Sequence, residues 1–231
     1  MRIAEIFFSV QGEGKLTGVP SVFVRTSGCN LRCRWCDTPY ASWQPEGNEM
    51  SIAEIVAEVD SHPTRFCVVT GGEPTIAKGI AELLQTLRDK GKHITIETAG
   101  TIMPNDLACD LASLSPKLSN STPDAEVGGA AWRDRHEKLR WQPDILRAWA
   151  DSYEHQLKFV VSDVQDLTEI EALLSASKVV TAPENILLMP EGRDQARQQE
   201  LAPRVVEWCK ERGWRYCTRL HIDLFGNKRG T

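Results

Sequence analysis

The sequence predicts an α/β fold with a mostly parallel sheet, either a βα-barrel or an open sheet carrying helices. Short β-branched runs alternate with amphipathic stretches, the pattern of strands joined by helical crossovers. Several of these runs stop at glycine or proline. Polar residues capable of chemistry follow the strand ends, where both architectures place ligands. The chain has 231 residues, 41% of them hydrophobic, which suffices for one domain over 1–231 with its own core.

Residues 20–28 read as a buried strand running into a loop. Residues 51–60 read as a helix capped by Ser51, with Glu54 at the capping-box position. The run 66–70 is a strand that stops at Gly71 and Gly72. A helix is expected over 76–91, an alternating strand over 93–98 and a weaker strand over 111–116, ended by Pro116. Residues 156–162 and 185–190 read as strands on either side of a helix over 166–177. The stretch 194–213 is helical, with Pro203 expected to kink or split it. Residues 215–226 are expected to close the chain as a strand and tail. A variable insertion at about 119–155 breaks the rhythm: 120–131 looks like a mobile loop and 133–152 like one or two helices, covering the site or making a dimer contact.

No apolar run approaches the roughly 20 residues of a membrane span. The N-terminal stretch is short, contains Glu5 and lacks a small-residue cleavage site, so a cytoplasmic address is expected. A net charge of -5 offers no basic footprint for nucleic acid and suits a small-molecule substrate better. The seven cysteines, an odd number, argue against a disulfide framework. Cys67, Cys109, Cys209 and Cys217 are scattered and read as small buried residues.

The other three form Cys29-Asn-Leu-Arg-Cys33-Arg-Trp-Cys36, a C-x3-C-x2-C string. Three thiolates in one short loop can hold three corners of an iron–sulfur cubane and leave the fourth iron open. An electron-carrier cluster normally takes four thiolates. The rival reading is a closed zinc site with a remote fourth ligand such as His62 or Cys67.

Further strings carry chemistry only in combination. Val69-Thr70-Gly71-Gly72-Glu73-Pro74 follows a strand; its glycines permit close backbone approach to a ligand, and Glu73 can fix an ammonium. Alone it is an ordinary turn. Glu97 ends a strand and can accept ribose hydroxyls, or simply face solvent. Ser115-Pro116-Lys117 and Met189-Pro190-Glu191 also end strands, and Lys158 is either a ligand or a covered, paired lysine. Gln11-Gly12-Glu13-Gly14 suits the hydrogen-bonding edge of a flat heterocycle. Arg25 can fork a carboxylate, or serve as a structural ion-pair partner. Thr38 can join a Mg2+ shell completed by substrate and water. His221, expected at the end of the last strand, can donate to a substrate heteroatom or be a satisfied structural histidine.

The cysteine string, with Gly28 before it and Trp35 and Asp37 flanking Cys36, resembles the radical S-adenosylmethionine superfamily. The whole set, from Gln11–Gly14 through Thr70–Pro74, Glu97–Gly100 and Ser115–Lys117 to the terminal Leu220–Thr231, resembles the 7-carboxy-7-deazaguanine synthases. The resemblance implies a reduced (incomplete) βα-barrel, a homodimer, a 4Fe-4S cluster on Cys29, Cys33 and Cys36, S-adenosylmethionine and Mg2+. It implies cofactor contacts by Trp35, Asp37, Gly71, Gly72, Glu73, Glu97, Ser115 to Lys117 and Met189 to Glu191. Substrate contacts would come from Gln11, Gly12, Glu13, Arg25, Thr70, His221 and the Thr231 carboxylate. The implied reaction is a radical ring contraction of 6-carboxy-5,6,7,8-tetrahydropterin to 7-carboxy-7-deazaguanine with loss of ammonia, on the route to queuosine, fed by a flavodoxin-like electron donor. No side chain is singled out as general acid or base. The alternatives are an activase that makes a glycyl radical on a partner protein, and a non-catalytic iron–sulfur or zinc scaffold.

Overall fold

The computed structural model describes the backbone of residues 1–231 and every side chain except that of Val127. In chain order its elements are β1 (Arg2–Val10), β2 (Pro20–Thr26), β3 (Asn48–Glu49), α1 (Ile52–Asp60), β4 (Phe66–Gly71), α2 (Ile80–Asp89), β5 (His93–Thr98) and β6 (Leu111–Leu114). There follow α3 (Ala125–Gly128), α4 (Ala130–Arg140), α5 (Pro143–Ser152), β7 (His155–Val161), α6 (Val164–Ser177), β8 (Ile186–Pro190), α7 (Gln195–Arg212), β9 (Arg215–Tyr216) and α8 (Leu220–Phe225). One nine-stranded sheet runs β3-β1-β2-β4-β5-β6-β7-β8-β9. β1 is antiparallel to β2 and β3, and the other neighbours are parallel. β3 and β9 are its two edges, so the sheet is open rather than a closed barrel.

Period-2 alternation along the strands divides the sheet into an apolar and a polar face. Val22 and Val24, Cys67 and Val69, Ile94 and Ile96, Leu157 and Phe159, and Leu188 point to one face and form the main core. Helices cover that face with residues at helical spacing: Ile55, Val56 and Val59 of α1, Leu83, Leu84 and Leu87 of α2, and Leu167, Ile170 and Leu173 of α6. Burying one such side chain contributes about 2 kcal/mol, so this layer holds the strands in place. The intervening residues, Arg25, Thr70, Glu97 and Lys158 among them, necessarily emerge on the other face. Register aligns them: Arg25 pairs with Thr70, and Glu97 with Ser113, itself paired with Gln156.

Five expectations need correction. Residues 2–10 form a strand the pattern did not reveal, because β1 is paired antiparallel to β2 across a loop and its apolar residues are not cleanly alternating. The helix expected from residue 76 begins at Ile80, since Pro74–Ile76 make a separate 3-10 turn and Gly79 adopts φ 85°. α7 runs unbroken through Pro203, its buried Gln198, Leu201, Val205, Trp208 and Cys209 forming one continuous face. The final strand is only Arg215–Tyr216, and His221 lies in α8. The insertion holds α3, α4 and α5, so 120–131 includes a short helix and a 3-10 turn and is not all loop. Cys67, Cys109, Cys209 and Cys217 are buried free thiols, as expected. Among the described residues no helix is long and apolar enough to cross a membrane.

Candidate active site

A cleft of about 450 Å³ opens on the polar face of the sheet. Cys29, Cys33 and Cys36 border it with Trp35, Asp37 and Thr38. From the strand ends come Gly71, Gly72, Glu97, Ser115, Lys117 and Met189. Gln11, Gly12, Glu13, Arg25, Thr70, His221 and Thr231 border the same space. The structure thus gathers residues separated by up to the whole chain length. Glu73, Pro116, Pro190 and Glu191 do not border it. Glu73 is 1% exposed and its carboxylate is engaged on both oxygens, accepting from Thr75 N at 3.1 Å, Thr75 Oγ1 at 2.7 Å, Thr98 Oγ1 at 2.8 Å and Ala99 N at 2.9 Å. It braces the glycine turn against the end of β5, and the expected contact with an ammonium is corrected accordingly. Glu191 pairs instead with Arg197 at 3.4 Å.

The glycine turn is placed by backbone contact. Gly72 N donates to Thr26 O at 3.2 Å and Glu73 N to Gly28 O at 2.9 Å, while Gly28 N donates to Ala41 O at 2.8 Å. A methyl group at Gly72 would overlap the carbonyl oxygens of both Gly28 and Ala41. Gly72→Ala is therefore expected to lose about 1–3 kcal/mol in urea unfolding. The turn would have to move away from the cysteine loop to make room.

The cysteine loop fits an iron–sulfur cluster by its donor set. All three thiols are free, and none is in a disulfide. Among the described residues no group of three His, Cys, Asp or Glu converges as the ligands of a single ion do; thiolates on separate corners of a cubane lie farther apart. Burial pushes the Cys29 thiol up to about 12 and raises Cys33 also. Thiols so buried would be held as thiolates only against a cation, the charge that cluster iron would supply. Leu31 N donates to Cys29 Sγ at 3.4 Å, and Cys36 Sγ lies 3.1 Å from Ser42 Oγ. Ser27 Oγ and Asn30 Oδ1, on either side of Cys29, are buried without a hydrogen-bond partner. Orphaned polar atoms beside a thiol suit a loop completed by a bound group.

Deeper in the cleft lies a buried ionic network. Glu13 pairs with Lys158 and, at 3.0 Å, with Arg219 Nε. Arg219 also pairs with Asp37 and donates Nη1–H to Gly192 O at 2.8 Å. Glu97 accepts from Gln11 Nε2 at 3.3 Å and Thr70 Oγ1 at 3.1 Å, with Lys158 Nζ at 3.8 Å. Burial alone would raise the Glu13 pKa, but Lys158, Arg219 and His221 outweigh it and hold the carboxyl well below its usual range. Burial lowers the His221 pKa, which favours the neutral ring. Its Nδ1 occupies the space where a Cβ on Gly12 would stand, so the Gln11–Gly14 turn and α8 are fitted to each other. Arg25 donates to Glu5 Oε1 at 2.7 Å, and Tyr40 Oη donates to the same oxygen at 2.7 Å. Arg25 is thus both a structural partner and a cleft residue.

Sequence reasoning missed Arg219, Glu5 and Tyr40. Recognising β1 as a strand would have found Glu5, which stands opposite Arg25 in the ladder. Arg219 carried no local signal, because its partners lie 206 and 182 residues away.

An open, mostly parallel sheet with a three-cysteine loop after its second strand defines a radical S-adenosylmethionine protein, and the Radical SAM superfamily matches residues 23–120. Membership carries with it a 4Fe-4S cluster and S-adenosylmethionine. Two 7-carboxy-7-deazaguanine synthases are similar over nearly the full length. That of Halobacterium salinarum is 46% identical, covering 97% of this chain and 90% of the relative. That of Rhodopirellula baltica is 45% identical, covering 99% and 88%. The crystal structure of QueE from Escherichia coli superposes with a TM-score of 0.70 at 25% identity, covering 95% of this chain and 94% of the other. The chain belongs to the 7-carboxy-7-deazaguanine synthase family.

Proposed function

We propose that this protein converts 6-carboxy-5,6,7,8-tetrahydropterin to 7-carboxy-7-deazaguanine and ammonia, the step its relatives are named for, as part of queuosine and deazapurine biosynthesis. The carrying observation is the cleft that joins the three-cysteine loop to Gln11–Glu13, Arg25 and His221. A glycyl-radical activase acts on a polypeptide and would give these small-molecule contacts no common purpose. A scaffold without catalysis likewise leaves the shared near-full-length similarity to named synthases unaccounted for.

When bound, the cluster and S-adenosylmethionine supply a carbon radical able to remove a hydrogen atom from the substrate. In this reading Cys29, Cys33 and Cys36 hold the cluster. Gly71, Gly72, Ser115, Lys117 and Met189 border the cofactor, with Glu97 between cofactor and substrate. Gln11, Glu13 and the Thr231 carboxylate face the hydrogen-bonding edge of the pterin, while Arg25 and His221 meet its carboxylate and ring heteroatoms. Thr38, beside Cys36, joins a Mg2+ shell. The Glu13–Lys158–Arg219 network would fix the substrate edge before binding. A homodimer in the cytoplasm, supplied by a flavodoxin-like electron donor, completes the reading.

The test is anaerobic incubation of the reconstituted protein with dithionite, S-adenosylmethionine, Mg2+ and carboxytetrahydropterin. Deazaguanine product identified by mass and absorbance supports the assignment; cofactor cleavage with the pterin unchanged refutes it. Arg25→Ala is expected to raise KM for the pterin by about 10- to 100-fold, the loss of a charge-assisted contact. Cofactor cleavage without substrate should change little. An unchanged KM assigns Arg25 to its pairing with Glu5 alone.

A further inference from the structure

The insertion is bound to the cysteine loop by contacts that no sequence pattern announced. Arg32 stands between Cys29 and Cys33, and α4 holds it twice. Its backbone N–H donates to His136 Nδ1 at 3.1 Å, and its guanidinium lies 4.0 Å from the ring centroid of Trp132. Trp132 and His136 are four residues apart in α4 and so share one helix face. The same guanidinium donates to Cys29 O and Leu31 O, each at 2.8 Å, folding the loop around its own side chain.

The tautomer follows from the partners. Nδ1 accepts the Arg32 N–H, so it carries no proton. His136 Nε2 lies 2.9 Å from Ser121 Oγ, and Ser121 Oγ donates its hydrogen to Leu118 O at 2.6 Å. Nε2–H is therefore the donor to Ser121, and the ring is neutral with both nitrogens used. The side chain is fully buried, and burial lowers its pKa to about 4. Ser121 returns to the loop through its carbonyl, which accepts Arg34 N–H at 2.9 Å. A short buried chain thus runs from α4 through one imidazole to both sides of Cys33.

We infer that His136 is a positioning residue for the iron–sulfur cluster, fixing the loop through the Arg32 N–H so that its three thiolates are arranged before the cluster assembles. The inference rests on the reading of those cysteines as cluster ligands. Its physical content is preorganisation: a ligand loop held by its outer contacts loses less entropy on binding and releases metal more slowly.

The two ring nitrogens allow a discriminating test on the full-length reconstituted protein. His136→Asn places an amide oxygen near Nδ1 and keeps the acceptor for Arg32. His136→Gln places its amide near Nε2 and keeps only the partner of Ser121. The readouts are the rate of iron loss to a chelator under anaerobic conditions and the electron paramagnetic resonance spectrum of the reduced cluster, with S-adenosylmethionine absent and present. The glutamine variant is expected to lose iron roughly 10-fold faster than wild type and to show an altered spectrum, whereas the asparagine variant stays within about 2-fold. Equal behaviour of the two variants, whether both wild-type-like or both impaired, overturns the inference. A wild-type protein that assembles no cluster overturns the ligand reading and this inference with it. Thermal melting of the metal-free proteins separates a general loss of packing of α4 from the loop effect, since packing loss moves both variants together.

Discussion

Cys29→Ala is expected to yield a folded protein that holds less than a tenth of the wild-type iron and forms no 5′-deoxyadenosine above background. Three thiolates are all the protein ligands the loop offers, so none is redundant. The change removes the Leu31 N–H bond to Cys29 Sγ, but the other contacts that shape the loop do not involve the thiol: Arg32 donates to the Cys29 and Leu31 carbonyls, and Gly28 N–H to Ala41 O. Removing one sulfur should therefore cost only about 1–2 kcal/mol of stability, while turnover is lost with the cluster that supplies the radical chemistry. Cys67→Ala is the control. Cys67 lies in β4 with its side chain in the core, away from the loop. That variant is expected to lose some stability, read by urea unfolding, and to keep its iron. An iron-replete, active Cys29→Ala protein would remove Cys29 from the ligand set.

The second large effect is expected at Arg219. Arg219 is 7% exposed, and its guanidinium holds Glu13, Asp37 and the Gly192 carbonyl together. Arg219→Met keeps much of the side-chain volume but leaves Asp37 without this partner and Glu13 with Lys158 alone. Breaking a fully buried pair from one side costs about 3–5 kcal/mol; because the Asp37 side chain is 34% exposed and Glu13 keeps Lys158, a smaller loss of about 1–3 kcal/mol is expected here. The urea midpoint should fall accordingly. Adding Asp37→Asn to Arg219→Met should recover at least about 1 kcal/mol, since an amide needs no cation, whereas neutralising Glu13 would strip the buried Lys158 of its partner. Simple additivity of the two changes would show that the ion pair is not coupled. The wild-type network also sets a pH dependence. The Glu13 pKa is lowered from 4.5 in the folded state, so its contribution is fully present above that value and fades as pH falls below it. Arg219→Met should flatten that acid limb, which equilibrium unfolding at pH 7 and pH 4 would measure.

The fold was legible wherever the signal was local. Capping at Ser51, realised with Glu54 N donating to Ser51 Oγ at 3.2 Å, acts within one helical turn. The strand 93–98 alternates in its side chains and stops where β5 stops. Most strand-end motifs border one cleft because parallel strands deliver their C-terminal ends to the same edge. Where partners are distant in sequence, the reading failed. β1 draws its register from β2, and Glu73 is satisfied by Thr98 and Ala99 of the next strand's end rather than by a ligand. The sequence places His221 at the end of a closing strand, yet after two residues of β9 the chain turns into α8.

By itself the sequence determined the three-thiol donor set, the alternation that makes a mostly parallel sheet and the membership in a synthase family. These are carried by covalent spacing and by backbone preferences that act over a few residues. Only the tertiary structure decided that the sheet stays open, that Arg219 ties Glu13 to Asp37, and that α4 grips the cysteine loop through His136. A buried charge or imidazole takes whichever partner the folded chain brings within hydrogen-bonding distance, and that choice is made across the sheet and not along the chain.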